Sequence, residues 1–368
     1  MLSSNPLTCL LCALFLCLPI AIIIFTSTTI KNNDNHVIFN PPVTNTFNLS
    51  EVYKDDENDE MEKVLFRIAS RTNQNPSYNN NKPKKLAFMF LIKSSLPFAP
   101  LWESFFKNAP KTHFSIYLHV DPTNFTWIPP YSSVFHYRTV YSKRSARNSA
   151  AVPAATRRLL ASALVDDPNN YMFILLSDSC IPLHSFNFTY NVLANSNKSF
   201  VEMKPQDLGA FFRYTARGPH AMLPEVRYED FRYGSHWFSL TRQHARMVVA
   251  DTRVWSKFKL PCLYLYVGIC YPEEIYFPTL MNMLDSKGCV YASLTNVDWS
   301  LGAFDGHPRM YKKDEVGPKL IWALRRDRPK YDEDVDGERH DPFLFARKFS
   351  PDALHALMAI ADSVIFKD

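Results

Sequence analysis

Short apolar runs, bounded by polar residues and prolines, recur along the chain beyond residue 84. The run at 172–176 has the length and continuity of a strand buried on both faces, and 86–92 and 114–120 are two further strand candidates. Between them, residues 97–108 and 150–165 carry apolar side chains at helical spacing. This alternation predicts an α/β fold in which helices flank a mostly parallel sheet.

The second half of the chain is predicted to contain shorter elements, and one short strand is predicted before it. Strands are predicted over 134–137, 200–203, 236–240 and 296–299, and helices over 241–251, 272–284 and 351–366. Thr241 and Ser350 suit the N-caps of two of these helices, and Pro272 suits the first turn of the third. Asp336-Gly337 is typical of a hairpin turn.

The run 172–176 ends in Ser177-Asp178-Ser179-Cys180. In open α/β sheets, ligands bind just beyond the carboxyl ends of the strands. The pattern therefore predicts an active-site cleft beside residues 177–180. The alternative is a core strand whose polar end is only a turn.

Composition narrows the classes of partner. The chain has 368 residues, of which 46% are hydrophobic and 21% charged, as in globular proteins. Only nine glycines are present, and neither GxGxxG nor GxxxxGK[ST] occurs. The net charge of +5 comes from basic residues scattered among acidic ones, without the stripe of a nucleic-acid binder. No nucleic-acid partner is expected, and local basic clusters fit an anionic small molecule better.

The N-terminal region predicts a membrane anchor. Residues 7–25 form an apolar run without a charged side chain. Its length is at the lower limit for a membrane-spanning helix and exceeds that of a usual signal-peptide core. No small-x-small cleavage site is clear, so an uncleaved signal anchor is the first hypothesis and a cleaved signal peptide the second. No Lys or Arg precedes the run and Lys31 follows it, which opposes the usual orientation.

A polar stretch follows the apolar run, and its Asn-, Asp-, Glu-, Lys- and Pro-rich composition predicts a flexible stem. The predicted division of the chain is a cytosolic tail at 1–6, a transmembrane signal anchor at 7–29, a lumenal stem at 30–84 and a catalytic domain at 85–368. Sequons that support a lumenal body begin at Asn48, Asn124, Asn187 and Asn197.

The cysteines form two groups, Cys9, Cys12 and Cys17 in the apolar run, and Cys180, Cys262, Cys270 and Cys289 in the body. No CxxC pair recurs with zinc-finger spacing, so a sulfur-bound metal is not expected. In an oxidising compartment the second group could form up to two disulfides, and the sequence leaves the pairing open.

Glu273 and Glu274 open the predicted helix 272–284, where the helix dipole favours carboxylates without any catalytic role. Adjacent helical side chains point about 100° apart, which disfavours a two-carboxylate glycosidase built from this pair. One of the two acting alone as a general base is geometrically feasible. A hydrolase would need a second carboxylate facing Glu274, for which Asp178 is the candidate.

Two basic clusters lie near the C-terminus. Arg347 and Lys348 lie among apolar residues in FLFARKF, where a charged pair either extends to the surface or binds an anion. The second cluster, formed by Arg325, Arg326 and Arg328, is better explained as solvated surface.

Five sequence blocks together resemble the plant branch of the core-2/I-branching N-acetylglucosaminyltransferase family, over about residues 85–368. The blocks are LAFMFLI with PLWESFF, FSIYLHVDP, RRLLASAL followed by YMFILLSDSCIPL, GSHWFSL followed by CYPEEIYFPT with NVDWS, and FLFARKF. The resemblance implies a type II Golgi membrane protein with a GT-A-like fold. It also implies inverting transfer from a UDP-sugar without a metal.

The resemblance also implies roles for particular residues. Glu274 matches the family's catalytic base, Lys348 its diphosphate-binding lysine, Asp121 its nucleotide-contacting aspartate and Trp299 an acceptor-side tryptophan. Asp178, at the end of the third strand, joins the predicted substrate-binding residues. The family's second phosphate-binding arginine does not map cleanly, and Arg339 and Arg325 are the candidates.

Two departures from the family pattern leave donor and acceptor preference open, and bear on the activity itself. Ile275 stands where plant relatives often have His, and residues 147–156 lack a Trp-Gly-acidic pattern.

The expectation of a metal-free site also has support from the residues. Many nucleotide-sugar transferases bind Mn²⁺ or Mg²⁺ through Asp-x-Asp after a strand. The literal matches here, within 332–336, lie in a charged, turn-like stretch that is interpreted as a solvated loop. Asp178 supplies only one carboxylate, whereas hard divalent cations bind several oxygen ligands. No metal or other cofactor is therefore predicted.

The predicted function is inverting, metal-independent transfer of a sugar, with GlcNAc as one candidate, from a UDP-sugar to a hydroxyl of a glycan or glycoprotein. Glu274 is the predicted general base. The alternative is a catalytically silent relative that binds glycans or acts as a scaffold in the Golgi. The sequence does not distinguish the donor sugar, the acceptor or the linkage.

Overall fold

The computed structural model describes residues 49–73, 83–124, 126–263, 266, 268–300, 308–331 and 339–368. The chain divides into a unit Met1–Asp56 and a compact unit Glu57–Asp368, and the description below concerns the second. The predicted anchor at 7–29 and the acidic stretch at 332–336 lie outside the described residues. Among the described helices, none combines the length and apolar character needed to cross a bilayer.

Three parallel strands form one half of the main sheet, β1 at Lys85–Ile92, β2 at Phe114–Val120 and β3 at Asn170–Ser177. β1 lies in the middle, with Leu86 paired with Phe114 of β2 and with Met172 of β3. All three strands were predicted from the sequence, and the structure confirms them.

The other half of the sheet is built from much shorter strands. They are β5 at Ser199–Phe200, β6 at Ser239–Thr241 and β7 at Cys289–Val290. The strand order is β2-β1-β3-β6-β5-β7. Of the pairings that the described strands make in this sheet, β1–β2, β1–β3 and β5–β7 are parallel, whereas β3–β6 and β5–β6 are antiparallel. The sheet is therefore mainly parallel, as predicted.

A second, small sheet lies beyond the end of β3. Its strands are β4 at Ile181–Pro182, β8 at Thr295–Val297 and β9 at Phe345–Arg347. β9 is central, antiparallel to β4 and parallel to β8. Because β4 follows β3 almost directly, this pairing brings the C-terminal FLFARKF block to the polar end of β3.

The described helices are α1 Leu49–Ser70, α2 Ala99–Phe106, α3 Ala151–Asp166, α4 Phe186–Asn195, α5 Leu208–Thr215, α6 Arg242–Ala250, α7 Trp255–Phe258, α8 Pro272–Asp285, α9 Pro318–Arg326 and α10 Leu354–Ile360. Thr241 caps α6 by accepting a hydrogen bond from the His244 amide, as predicted. Pro272 occupies the first turn of α8, also as predicted.

Side chains that alternate along β1 face two separate cores. Phe88 and Phe90 pack with the aromatic face of α2, including Trp102. Ala87 and Met89 point to the opposite face, which α3, α6 and α8 cover. This two-sided burial explains why the strand is continuously apolar.

Two predicted elements differ in the structure. Residues 134–137 form turns, because Tyr137 has a left-handed backbone (φ 54°) that interrupts an extended run. Just after these turns, Thr139 forms an isolated β-bridge with Leu118 of β2 at the sheet edge. The predicted helix 351–366 is divided into a 3₁₀ turn at Pro351–Ala353, α10, and a π-helical turn at Ala361–Ile365, and the Ser350 side chain makes no capping hydrogen bond.

The segment predicted as a flexible stem contains a helix that packs on the body. In α1, Ala69 is fully buried, and Leu65 and Phe66 pack against the core around α3. Arg246 and Arg242 donate hydrogen bonds to the carbonyls of Ser70 and Asn73, both at 2.9 Å. Of the apolar patch at 64–68 in the predicted stem, Leu65 and Phe66 pack on the body, whereas Val64 and Ile68 are exposed.

One disulfide is present among the described cysteines, between Cys262 and Cys270, just before α8. Cys180 and Cys289 are buried thiols. The disulfide therefore closes the loop that leads into the first turn of α8.

Candidate active site

Asp121 lies at the carboxyl end of β2 and is almost fully buried. Its Oδ1 accepts hydrogen bonds from the Thr123 amide (2.9 Å) and hydroxyl (2.6 Å), and its Oδ2 from the Ser145 amide (2.9 Å). Burial alone would raise the pKa of Asp121, but these hydrogen bonds outweigh it and hold the pKa below its ordinary value. Asp121 is therefore a fixed carboxylate at the sheet edge.

Asp178 lies at the same edge, immediately after β3. Burial raises the pKa of its carboxyl, and the Lys93 backbone and the charges of Arg347 and Lys348 act in the opposite direction. A carboxylate and two cations thus lie within interaction range at the polar end of β3, which is where the sequence predicts the cleft.

Arg347 ends β9 and projects into this region. Its guanidinium lies over the Trp237 ring at 4.4 Å, a cation–π distance. Its Nε is buried and has no hydrogen-bond partner among the described residues. Burial lowers the pKa of Arg347, while the Cys180 thiol and the carboxylates of Asp178 and Glu274 raise it. This arginine therefore links the β3 end to α8 electrostatically.

Glu274 is half-buried in the first turn of α8 and is held from two directions. Its Oε2 pairs with Arg213 Nη1 of α5 at 2.9 Å, and its backbone carbonyl accepts the Gly234 amide at 2.8 Å. A Cβ at position 234 would come within 2.0 Å of the Glu202 carbonyl oxygen, so only glycine fits there. Glu274 is thus well positioned and keeps one carboxylate oxygen outside the ion pair with Arg213.

Glu273 points elsewhere, as the helical geometry predicts. It is buried, and its Oε2 has no hydrogen-bond partner among the described atoms. Burial, with a contribution from the negative charge of Glu274, raises the pKa of Glu273 to about 7. The two neighbouring glutamates therefore have different environments, one ion-paired at the cleft and one inside the protein.

Trp299 is 48% exposed and follows β8. Val297 of β8 pairs with Arg347 of the parallel strand β9. Because the two strands run in the same direction, Trp299 leaves β8 at the end where Lys348 leaves β9. The structure thus places this exposed indole on the side of the small sheet that carries the cations.

The two arginines considered for a second phosphate contact have other partners. Arg339 makes a two-point contact with the Asp341 carboxylate, at 2.8 and 3.3 Å. Arg325 donates to Asp368 Oδ1 at 2.6 Å and to the Val364 carbonyl at 2.8 Å, which anchors the last residues of the chain. Arg325 therefore has a structural role at the C-terminus.

Sequence reasoning did not assign roles to Arg347 and Arg213. For Arg347 the sequence did contain an indication of such a role, because it neighbours Lys348 in the same apolar block. Arg213 had none, since its partner Glu274 is 61 residues away in the sequence and the two side chains meet only in the folded protein.

Side chains that could bind a metal ion through oxygen or sulfur are sparse at the candidate site. Within the described ranges, no group of three or more His, Cys, Asp or Glu side chains could hold a metal ion. Asp178, the carboxylate at the β3 end, has Arg347 and Lys348 as its charged neighbours. A donor set of one carboxylate beside two cations does not fit a hard divalent metal.

An α/β body with a mainly parallel sheet, a positioned carboxylate and a cationic strand end has the construction of a nucleotide-sugar-dependent glycosyltransferase. Residues 86–325 match the family described as Core-2/I-Branching enzyme. The chain is also 31% identical over 301 residues to glycosyltransferase BC10 of Oryza sativa subsp. japonica, covering 72% of this chain and 74% of that protein. The chain belongs to the core-2/I-branching family and is a glycosyltransferase, which confirms the resemblance.

Proposed function

We propose that this glycosyltransferase moves a sugar, with GlcNAc as one candidate, from a UDP-sugar to a hydroxyl of a glycan or glycoprotein, with inversion at the anomeric carbon. The observation that carries the proposal is that Arg347, at the end of β9, lies within electrostatic range of both Glu274 on α8 and Asp178 at the end of β3. This supports placing the base and the diphosphate-binding residues in one site.

In the proposed reaction, Glu274 removes the proton from the acceptor hydroxyl as that oxygen attacks the anomeric carbon. A new glycosidic C–O bond forms on one face, while the bond from the anomeric carbon to the UDP oxygen breaks on the other. Arg213 supports this role by fixing the Glu274 carboxylate at 2.9 Å and leaving one oxygen to accept the proton.

The leaving UDP carries the developing negative charge. Lys348 and Arg347 are assigned to offset it, which removes the need for a strong acid at the leaving oxygen. The stacking of Arg347 on Trp237 supports this assignment, because it preorients a buried guanidinium whose Nε lacks a partner among the described residues. Asp121 would contact the nucleoside and Trp299 the acceptor sugar.

Metal independence is part of the proposal. It is supported by the side chains at the β3 end, where Asp178 has Arg347 and Lys348 as charged neighbours, because these two cations could offset the charge of the diphosphate without a divalent ion.

A panel of UDP-sugars, tested with the full chain, would examine the donor assignment. One UDP-sugar should raise the melting temperature and release UDP slowly by hydrolysis, since a ligand that binds only the folded state stabilises it. Stabilisation by UDP-sugars without transfer or hydrolysis would favour the silent glycan-binding alternative. No stabilisation by any UDP-sugar would contradict the proposal.

The membrane topology is proposed on sequence grounds alone, as a single-pass type II Golgi protein with a lumenal catalytic domain. Sequon residues Asn124, Asn187 and Asn197 are exposed, so attached glycans would not disturb the cores. Endoglycosidase treatment of the expressed protein should increase its gel mobility. Unchanged mobility, together with protease sensitivity of the body in intact vesicles, would contradict a lumenal location.

A further inference from the structure

The acidic face of α1 makes ion pairs with two elements of the body. The Glu62 carboxylate pairs through Oε2 with Lys143 Nζ at 2.8 Å and through Oε1 with Arg158 Nη1 at 3.1 Å. Asp59, one turn earlier, is a second partner of Lys143. Glu62 thus bridges α3 and the segment that leads into it.

Lys143 belongs to a short segment, residues 140–145, which we call the Ser145 loop. The loop runs beside the end of β2, where the Val120 amide donates to the Ser142 hydroxyl at 3.2 Å. Two residues beyond Lys143, the Ser145 amide donates to Asp121 Oδ2 at 2.9 Å. The loop therefore connects the ion pair on α1 to the carboxylate at the sheet edge.

The pairs on Glu62 are sheltered from solvent. The side chains of Glu62, Lys143 and Arg158 are 21%, 29% and 3% exposed. Ion pairs that are shielded in this way are screened less by water and salt than surface pairs are. Partial burial opposes the charged form of Lys143, but its hydrogen bonds with Asp59 and Glu62 outweigh this and raise its pKa.

α1 is itself rigidly held, so it can act as a fixed support. Phe66 and Ala69, one and two turns beyond Glu62 on the same side of the helix, pack into the core. Arg246 fixes the end of the helix through the Ser70 carbonyl. By contrast, Glu60 and Lys63 form a pair on the solvent face of the same helix, with both side chains about 70% exposed.

We propose that α1 is a working part of the donor site, because its Glu62 holds the Ser145 loop against Asp121 and so positions the nucleotide pocket. Glu62 and Lys143 are positioning residues in this arrangement, acting through Ser145. The proposal rests on the proposed nucleotide contact of Asp121. The proposal also assigns the part of α1 from Glu57 onward to the catalytic domain instead of to the predicted stem.

Three variants of the full chain test this, Glu62→Gln, Lys143→Met and their combination, with Glu60→Gln as the matched control on the solvent face of α1. Hydrogen exchange of the peptide covering residues 140–146 reports on the loop, and calorimetric titration with UDP reports on the pocket. Both single variants should exchange faster in this peptide and bind UDP about two- to tenfold more weakly, the lower range of coupling between contacting residues. The loss of UDP affinity in the double variant should not exceed the sum of the losses in the two single variants. Glu60→Gln should match the wild type.

The outcomes separate this inference from the proposed function. Unchanged exchange in both single variants would overturn it, including the case in which Glu62→Gln only lowers the melting temperature. Faster exchange with unchanged UDP affinity would overturn the link to the nucleotide pocket and would also remove Asp121 from the donor site. If the wild type does not bind UDP at all, the proposed function fails, while the exchange data still decide whether α1 holds the loop.

Discussion

The two halves of the main sheet differ in how they are built. The strands β1, β2 and β3 have seven or eight residues each and are almost wholly buried. The strands β5, β6 and β7 have two or three residues each, and long segments that contain α5 to α8 connect them. The first half is a regular scaffold, and the second half holds most of the candidate catalytic groups on loops and helix ends.

This difference shows how the site is assembled. The scaffold contributes Asp121 and Asp178 directly at its strand ends. The second half contributes Glu274, which pairs with Arg213, and the small sheet contributes Arg347 and Lys348 through β9. The proposed nucleotide contacts therefore come from more than one part of the molecule, whereas the proposed general base comes from α8 alone, and the two roles can be tested separately.

The largest expected effect is on Glu274. Glu274→Gln keeps the shape and the contact with Arg213 but removes the proton acceptor, so turnover should fall roughly 10²- to 10⁴-fold. UDP affinity should stay near that of the wild type, because the base faces the acceptor. Initial-rate kinetics with the best UDP-sugar, with Glu273→Gln as the matched control, measure this. A larger loss from Glu273→Gln than from Glu274→Gln would move the base by one residue.

The second prediction concerns the nucleotide side. Lys348→Ala should weaken UDP binding by roughly 1.5–3 kcal/mol, the range for a hydrogen bond to a charged group. Lys319→Ala, on the exposed surface of α9, is the control and should bind as the wild type does. Calorimetric titration with UDP gives both values. Lowered thermal stability with unchanged UDP affinity would show that Lys348 only packs.

The third prediction uses the contrast between the two glutamates. Burial raises the pKa of Glu273 from its ordinary value of 4.5 to about 7 in the folded protein. Folding therefore favours the protonated form, and the wild type loses stability as the pH rises between these two values. Glu273→Gln cannot ionise, so its stability relative to the wild type should increase over the same range and level off above pH 7, by up to about 3 kcal/mol.

Urea unfolding of Glu273→Gln and of the wild type from pH 4 to 8 measures that difference. Glu60→Gln, on the exposed face of α1, should show little pH-dependent difference from the wild type. A stability difference for Glu273→Gln that is independent of pH would mean that Glu273 ionises normally in the folded protein.

The smallest expected effect is that of metal removal. If two cations neutralise the diphosphate, transfer should continue at an unchanged rate in excess chelator. Loss of activity with EDTA and its recovery with Mn²⁺ would contradict this, and would direct attention to the acidic stretch 332–336.

The sequence by itself determined the scaffold and the class of enzyme. The runs at 86–92 and 172–176 are almost wholly apolar because these strands are buried on both faces, so the local pattern reports the environment directly. Thr241 and Pro272 mark helix starts through backbone chemistry that is equally local. The divergence of Glu273 and Glu274 follows from helical geometry and was also predictable.

Only the tertiary structure decided which distant groups meet. The strands of two or three residues in the second half carry too little pattern to be bounded, and tertiary pairing defines them. The Arg213–Glu274 pair, the position of Arg347 over Trp237, and the Cys262–Cys270 disulfide join segments whose spacing in the chain carries no signal. The packing of α1 on the body also depends on tertiary structure. In the sequence, a polar helix with one small apolar patch resembles a linker, and only the folded protein brings the buried Arg158 beside Glu62. Contacts of this kind depend on three-dimensional packing, and local patterns in the chain do not encode them.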